Sequence, residues 1–185
     1  MKFKLFVRTA GFDDSFSSET GYMVGCVCSG VYPEAFMIRT FEVDGMDATS
    51  TIVSMMVESP YLEQVKGIFL KGITVGGFNV IDIQELYEKL NIPVMVLMRK
   101  QPDMDEVIKA LKNLDNWKER LNIIKKAGKI HAIEKGLFAQ FTGIDKQDAL
   151  ELISLSRNRG NIPESLRLAH LVATAIVHGT SKKRV

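Results

Sequence analysis

From Pro93 to Met98 the chain reads Pro-Val-Met-Val-Leu-Met, six residues without one polar side chain. A run this short and this apolar suits a strand buried on both faces, and such a strand needs helices above and below its sheet. The neighbouring segments agree. Gly67 to Leu70 is another short apolar strand, and Val80 to Leu90 sets Ile83, Leu86, Tyr87 and Leu90 along one face of a helix. Strand, helix and strand in that order pair in parallel through a right-handed crossover. Upstream, Phe3 to Val7, Met23 to Val27 and Ala35 to Val43 read as three strands, the last after the breaker Tyr32-Pro33. Joined in succession they make an antiparallel meander. Ala48, Ile52, Met55 and Met56 then recur at helical spacing up to Ser59-Pro60.

Downstream, Asp103 is placed to cap a helix carrying Val107, Ile108 and Leu111. Asp115 is placed to cap another with Trp117, Leu121 and Ile124, which Gly128 closes. Ile130 to Phe141 is ambiguous apart from a short strand at Leu137 to Phe141. Asp145 caps a helix through Leu150 and Ile153, Pro163 opens the last helix and Gly179 ends it. No repeat or linker divides residues 1–185, so the reading is one domain. The expected fold is α/β and ribonuclease H-like: a five-stranded mixed sheet, antiparallel meander plus two parallel strands, covered by helices.

Composition narrows the function classes. The net charge is only +2, too small for bulk electrostatics to draw nucleic acid, so any basic groove must be local. Lys182-Lys183-Arg184 reads as a solvated end. Cys26 and Cys28 are the only cysteines, two apart on one face of a strand, and lack the further ligands that tetrahedral zinc requires. They read as buried, reduced thiols. No apolar run is long enough to cross a bilayer and no leader pattern is present, so the expected location is the cytoplasm.

Chemistry concentrates in three places. Gly11-Phe12-Asp13-Asp14 follows the first predicted strand and Val43-Asp44-Gly45 ends the third. Strands one and three of a meander run the same way, so these carboxylates emerge on one sheet edge, about 9–10 Å apart at the backbone. That gap suits side chains reaching inward to a shared ion, and hard oxygen donors favour magnesium or manganese. Asp also suits turns and caps, the alternative reading of each. Second, Lys71-Gly72-Ile73-Thr74-Val75-Gly76-Gly77-Phe78-Asn79 leads into a helix, where Gly76, Gly77 and Asn79 would let a phosphate approach the backbone. A tight turn with Asp82 as helix cap is the plainer account. Third, Leu166, Ala169, Val172, Ala173 and Ile176 form a predicted buried stripe on the last helix, leaving Arg167, His170 and Thr174 on an adjoining face. There Arg167 suits a phosphate and His170 a water or leaving group.

Taken together, Gly11-Phe12-Asp13-Asp14, Val43-Asp44-Gly45-Met46-Asp47-Ala48-Thr49, Gly72-Ile73-Thr74 with Gly77-Phe78-Asn79-Val80-Ile81-Asp82, Pro93-Val94-Met95-Val96 with Arg99 and Pro102-Asp103, and Pro163-Glu164 with Leu166-Arg167 and Ala169-His170-Leu171 resemble the mainly archaeal endonuclease dU family, related to endonuclease V. The resemblance runs in order over nearly the whole chain. It implies a ribonuclease H-like fold and a magnesium-dependent cut in DNA near a deaminated base such as deoxyuridine. In endonuclease V relatives the first strand and the end of the third each supply a carboxylate, and the resemblance maps these to Asp13 or Asp14 and to Asp44. The third, an Asp just before a Gly, is replaced by Lys71 before Gly72, and Ser15 stands where a glycine follows the paired Asp. A lysine there repels a metal ion or contacts a phosphate itself, so Asp47 or Asp82 would have to complete the ligand set.

Three function classes follow. One is a metal-dependent endonuclease in DNA repair, with Asp13, Asp14 and Asp44 on Mg2+ or Mn2+, Lys71 and Arg167 on phosphates, His170 polarising water, and Phe16 or Phe78 stacking a displaced base. The substrate would be DNA, single-stranded or lesion-containing. A second is a nucleic-acid-binding module with little or no hydrolysis, for which Lys71 is the best argument. A third is a small-molecule enzyme using the same carboxylate edge.

Overall fold

A computed structural model describes residues 3–18 and 20–181, so Lys182-Lys183-Arg184 lie outside the described residues. Among the described residues the sheet has seven strands, not five. They are β1 (Arg8–Ser17), β2 (Thr20–Ser29), β3 (Tyr32–Glu42), β4 (Val65–Lys71), β7 (Val94–Met98), β8 (His131–Glu134) and β9 (Leu137–Thr142), in the order β3-β2-β1-β4-β7-β9-β8. β1, β4 and β7 are mutually parallel and every other pairing in the sheet is antiparallel. The two added strands come from the ambiguous stretch after Gly128. A turn at Gly136, at φ 77°, folds it into a hairpin whose second strand pairs with β7.

The first strand is also displaced from its predicted position. Phe3 to Val7 is not a strand: Phe6 takes φ 65° and the Val7 amide donates to the Lys4 carbonyl, which bends the chain, while Phe3 and Val7 anchor it in the core. β1 instead runs through Gly11, Asp13, Asp14 and Ser15, residue types that strands disfavour, so Asp13 and Asp14 lie within the strand rather than after it. β3 starts at Tyr32 and carries Pro33, tolerated because the strand is an edge.

Helices cover both faces. On one side α1 (Ala48–Val57) and α2 (Ile83–Leu90) bury Ile52, Met55, Met56, Ile83 and Leu86 against Ala10, Phe12, Ile68, Leu70 and Val96. On the other, α5 (Lys146–Leu155) and α6 (Glu164–His178) bury Leu152, Ile153 and Leu166 against Phe69, Met95 and Leu97. β7 is therefore covered on both faces, as its apolar run requires. α3 (Met104–Leu111) and α4 (Trp117–Lys126) pack a smaller cluster around Leu111, Ile124 and Val80. Asp82, Asp103 and Asp145 cap α2, α3 and α5 through side-chain acceptors. Asp115 does not cap α4, where Asn116 takes that position. α2 begins at Ile83 because Thr74–Val75 (β5) and Asn79–Val80 (β6) pair as a small hairpin across the glycine turn. Ile176 is exposed rather than part of the buried stripe of α6. No described helix is long and apolar enough to cross a membrane.

Candidate functional site

β1 presents alternate residues to opposite layers. Ala10 and Phe12 face α1 and α2, while Thr9, Gly11 and Asp13 face α6. Gly11 lets the α6 backbone lie directly on the strand: a Cβ there would stand 2.3 Å from the Leu166 nitrogen and 2.4 Å from the Ser165 carbonyl carbon. From this contact two residues along the strand advance about 6.7 Å and four along the helix about 6 Å. The next meeting is therefore Asp13 with His170. Nδ1 of His170 lies 2.7 Å from Asp13 Oδ2, and Nε2 is buried with no hydrogen-bond partner among the described residues.

The parallel register pairs Phe12 with Leu70, so Asp13 and Lys71 are the next positions out on neighbouring strands. Lys71 Nζ reaches Asp13 Oδ2 at 3.2 Å and His170 Nδ1 at 2.8 Å, closing a triangle of three side chains from β1, β4 and α6. Asp13 Oδ1 accepts from the Asp14 amide at 2.9 Å. The triangle floors a cleft of about 770 Å³ that also meets Asp14, Ser15, Phe16, Thr174, His178 and Thr180. His170, Thr174 and His178 recur every four residues along α6. That spacing is the signal by which His178, otherwise unassigned in the sequence, could have been found.

Asp14 points the other way, where its Oδ2 accepts from the Gly76 amide at 2.8 Å. Burial pushes its carboxyl up to about 6; the Gly76 hydrogen bond and the charge of Lys71 oppose the rise, and Asp13 adds to it.

The remaining predicted residues are engaged elsewhere. Asp44, at φ 54°, accepts from the Phe78 amide at 2.8 Å while its own amide donates to the Gly76 carbonyl at 2.8 Å. Asp14 and Asp44 thus converge on the Gly76–Phe78 turn. Gly77, at φ 82°, packs so closely on Asp44 that a Cβ would stand 2.3 Å from Oδ1. Asn79 is fully buried, donating to the Glu42 carbonyl and to Asp47 and accepting from the Ala48 amide. Asp82 caps α2 and pairs with Lys126 at 2.8 Å. Arg167 forms a two-pronged pair with Glu164 at 2.6 and 2.8 Å. Phe16 is 44% exposed at the cleft. Phe78 lines a separate, more apolar cavity with Met104, Val107 and Ile124. Sequence reasoning missed Arg120, which is buried and donates to the carbonyls of Asp44, Gly45 and Phe78, tying together both sides of the glycine turn.

Among the described residues no three His, Cys, Asp or Glu side chains converge as a metal centre. Asp13 Oδ2, the oxygen best placed for an ion, is already shared by Lys71 and His170, and Asp14 Oδ2 is held by Gly76. The residues present do not fit a resident magnesium or manganese ion.

A family model described as Endonuclease dU matches residues 6–177. A UPF0215 protein of Archaeoglobus fulgidus is 45% identical over 175 residues, covering 95% of this chain and 96% of that protein. The crystal structure of a protein of unknown function from Archaeoglobus fulgidus superposes with a TM-score of 0.90 at 45% identity, over 93% of this chain and 99% of that one. Ciona intestinalis endonuclease V, solved with a 24mer DNA containing an inosine followed by a ribo-adenosine, gives a TM-score of 0.62 at 13% identity, over 93% of this chain and 86% of that one. At that identity the likeness is one of fold.

Proposed function

Because the chain belongs to the endonuclease dU family, we propose that it is a one-domain, ribonuclease H-like endonuclease of the cytoplasm that cuts DNA beside a deaminated base such as deoxyuridine, as a step of DNA repair. The observation that carries this reading is the Asp13–Lys71–His170 triangle, set in an open cleft at the carboxyl end of β4, where its parallel pairing with β1 stops. Ends of parallel strands are where α/β sheets bind ligands. The solved endonuclease V complex adds that a chain of this fold holds DNA.

In this mechanism Lys71 anchors the strand at a phosphate beside the lesion, as a compact point charge. Water adds to the phosphorus as the strand oxygen leaves; Asp13 fixes the orientation of His170, which takes a proton from that water and returns one to the leaving oxygen. Exposed Phe16 stacks the displaced base at the rim. The resemblance implies magnesium or manganese, but the donor set has no place for a resident ion, and no step runs through one. Lys71 in place of a carboxylate also favours the second reading, a DNA-binding module with little or no hydrolysis.

The test is cleavage of labelled duplexes and single strands carrying uracil, hypoxanthine or no lesion, with magnesium, manganese or chelator, for the parent and for Asp13→Asn. Lesion-selective cutting that falls at least about 100-fold in Asp13→Asn supports the endonuclease. Salt-sensitive binding without cutting on any substrate establishes the binding module. Cutting that strictly requires the ion overturns the conclusion that the cleft lacks a place for it.

A further inference from the structure

We propose that two copies of this chain join edge to edge through β3, so that their sheets run into one another across a two-fold axis at Met37. The pairing does not rest on the nuclease reading, because no residue of β3 lines the cleft.

β3 is an outermost strand, and among the described residues no strand pairs with its outer side. It is also long, eleven residues from Tyr32 to Glu42. Edges of that length are ordinarily blunted by lysine, by proline or by a bulge. Here Pro33 and the break in the β2–β3 register, between Val27 and Cys28, both lie at the start of β3. From Ala35 to Glu42 the ladder to β2 is regular, and the segment holds neither lysine nor proline. Arg39, the one cation in it, pairs with Glu58 of the same chain. The Ile38 carbonyl accepts from Arg39 Nη1 at 2.9 Å, so a main-chain acceptor on this strand already draws a donor from outside the ladder. Open backbone groups along such an edge are a template for another strand.

The side chains agree. Cross-strand partners share a face of the sheet. Phe36 opposes Cys26 and Ile38 opposes Val24, and Val24 and Cys26 pack against Ala169 and Ala173 of α6. Phe36 and Ile38 therefore lie on the α6 side, beyond the cover of that helix, and are 46% and 45% exposed. At the start of the strand Tyr32 is 63% exposed, its ring 6.1 Å from that of exposed Phe6.

The occupant that fits is a second copy. A strand paired with itself about a two-fold axis perpendicular to the sheet is antiparallel and keeps its α6 side facing the same way in both copies. With the axis at Met37, Phe36 opposes the partner's Ile38, Ala35 the partner's Arg39 and Glu34 the partner's Thr40. Apolar meets apolar at the centre, and no like charges stand directly opposite. An axis at Phe36 would set Glu34 against the partner's Ile38, and one at Ile38 would set it against the partner's Glu42. The area is also of the right order. Phe6, Tyr32 and Phe36 leave about 100 Å² each open, half of what an aromatic side chain can bury. With Ile38 these side chains supply roughly half of the 800 Å² per partner that a stable dimer needs, and the outer side of the paired strand supplies the rest. β3 runs in the same direction as β1, so the two clefts open at opposite ends of the joined sheet and neither is covered.

The experiment is sedimentation velocity on the full chain over a concentration series, where a species of twice the chain mass is expected. Phe36→Lys and Ile38→Lys alter half-exposed side chains and put a charge on the edge. Each should weaken the dimer by at least about 100-fold while keeping the parent circular dichroism. Met37→Cys places a thiol on the axis, within reach of its own copy, and should form a linked dimer on oxidation. Ala35→Cys should not, since the two thiols would stand four strand residues apart, about 13 Å. The parent is the control, its Cys26 and Cys28 being buried. A chain that stays monomeric at every concentration, a dimer untouched by either lysine variant, or linking through Ala35→Cys in place of Met37→Cys overturns the proposal.

Discussion

Gly11 of β1 and Leu166 of α6 meet backbone to backbone, with no room for a Cβ between them. The contact sets the height of the helix over the sheet. Because strand and helix advance by nearly equal distances per two and per four residues, it also sets His170 over Asp13.

Gly11→Ala should therefore act on the site without touching it. The atoms opposing the new methyl are backbone, so α6 must lift. Overpacking of this kind costs about 1–3 kcal/mol, read as a lower urea midpoint at unchanged slope. The imidazole of His170 should shift in its NMR resonance as the 2.7 Å contact opens, whereas a variant with parent stability and an unmoved resonance would show that the helix is not held here.

Arg120→Ala removes the donor shared by the carbonyls of Asp44, Gly45 and Phe78. A buried acceptor left unpaired costs about 1–3 kcal/mol, and water entering the gap satisfies some of the three, so a loss of about 3 kcal/mol is expected. Amide exchange of Gly76 to Phe78 should accelerate more than that of β4 or β7. Uniform acceleration would instead mean that Arg120 supports the fold as a whole.

These residues show what the sequence made legible. β7 and the caps at Asp82, Asp103 and Asp145 were readable because an apolar run and a capping position are local signals. β1 was misplaced because its composition serves contacts distant in sequence: glycine for α6, aspartates for a lysine and a histidine. Asp13, Lys71 and His170 could each be singled out by residue type and position, and only the packing of α6 shows that they touch. Asp44 and Asn79 carried the same chemical cues as Asp13, and only the fold shows that both hydrogen-bond to backbone around the glycine turn. Nothing local marked Arg120, whose partners are main-chain carbonyls.

Asp44→Asn separates a brace from a ligand. Asn tolerates the left-handed conformation at φ 54° and its side-chain oxygen still accepts from the Phe78 amide. Stability should stay within about 0.5 kcal/mol of the parent and lesion cutting should be retained. A loss of cutting on the scale of Asp13→Asn would return Asp44 to the reacting centre.

Asp14 predicts the sign of a pH dependence. Its carboxyl is raised from 3.8 to about 6, chiefly by burial, so the folded chain holds a proton that the unfolded chain releases. Between those two values the native state binds more protons, and linkage then makes stability fall as pH rises. The contribution is complete below about 4 and gone above about 6, and it is at most about 3 kcal/mol for a shift of this size. Asp14→Asn keeps an acceptor for the Gly76 amide and does not titrate, so its urea midpoint should lack this component and exceed the parent's at pH 7. The comparison is the difference between the two midpoints from pH 4 to pH 7, which cancels the titration of other groups. A difference that stays flat, or one that favours the parent as pH rises, would show that the Asp14 carboxylate is stabilised where it sits.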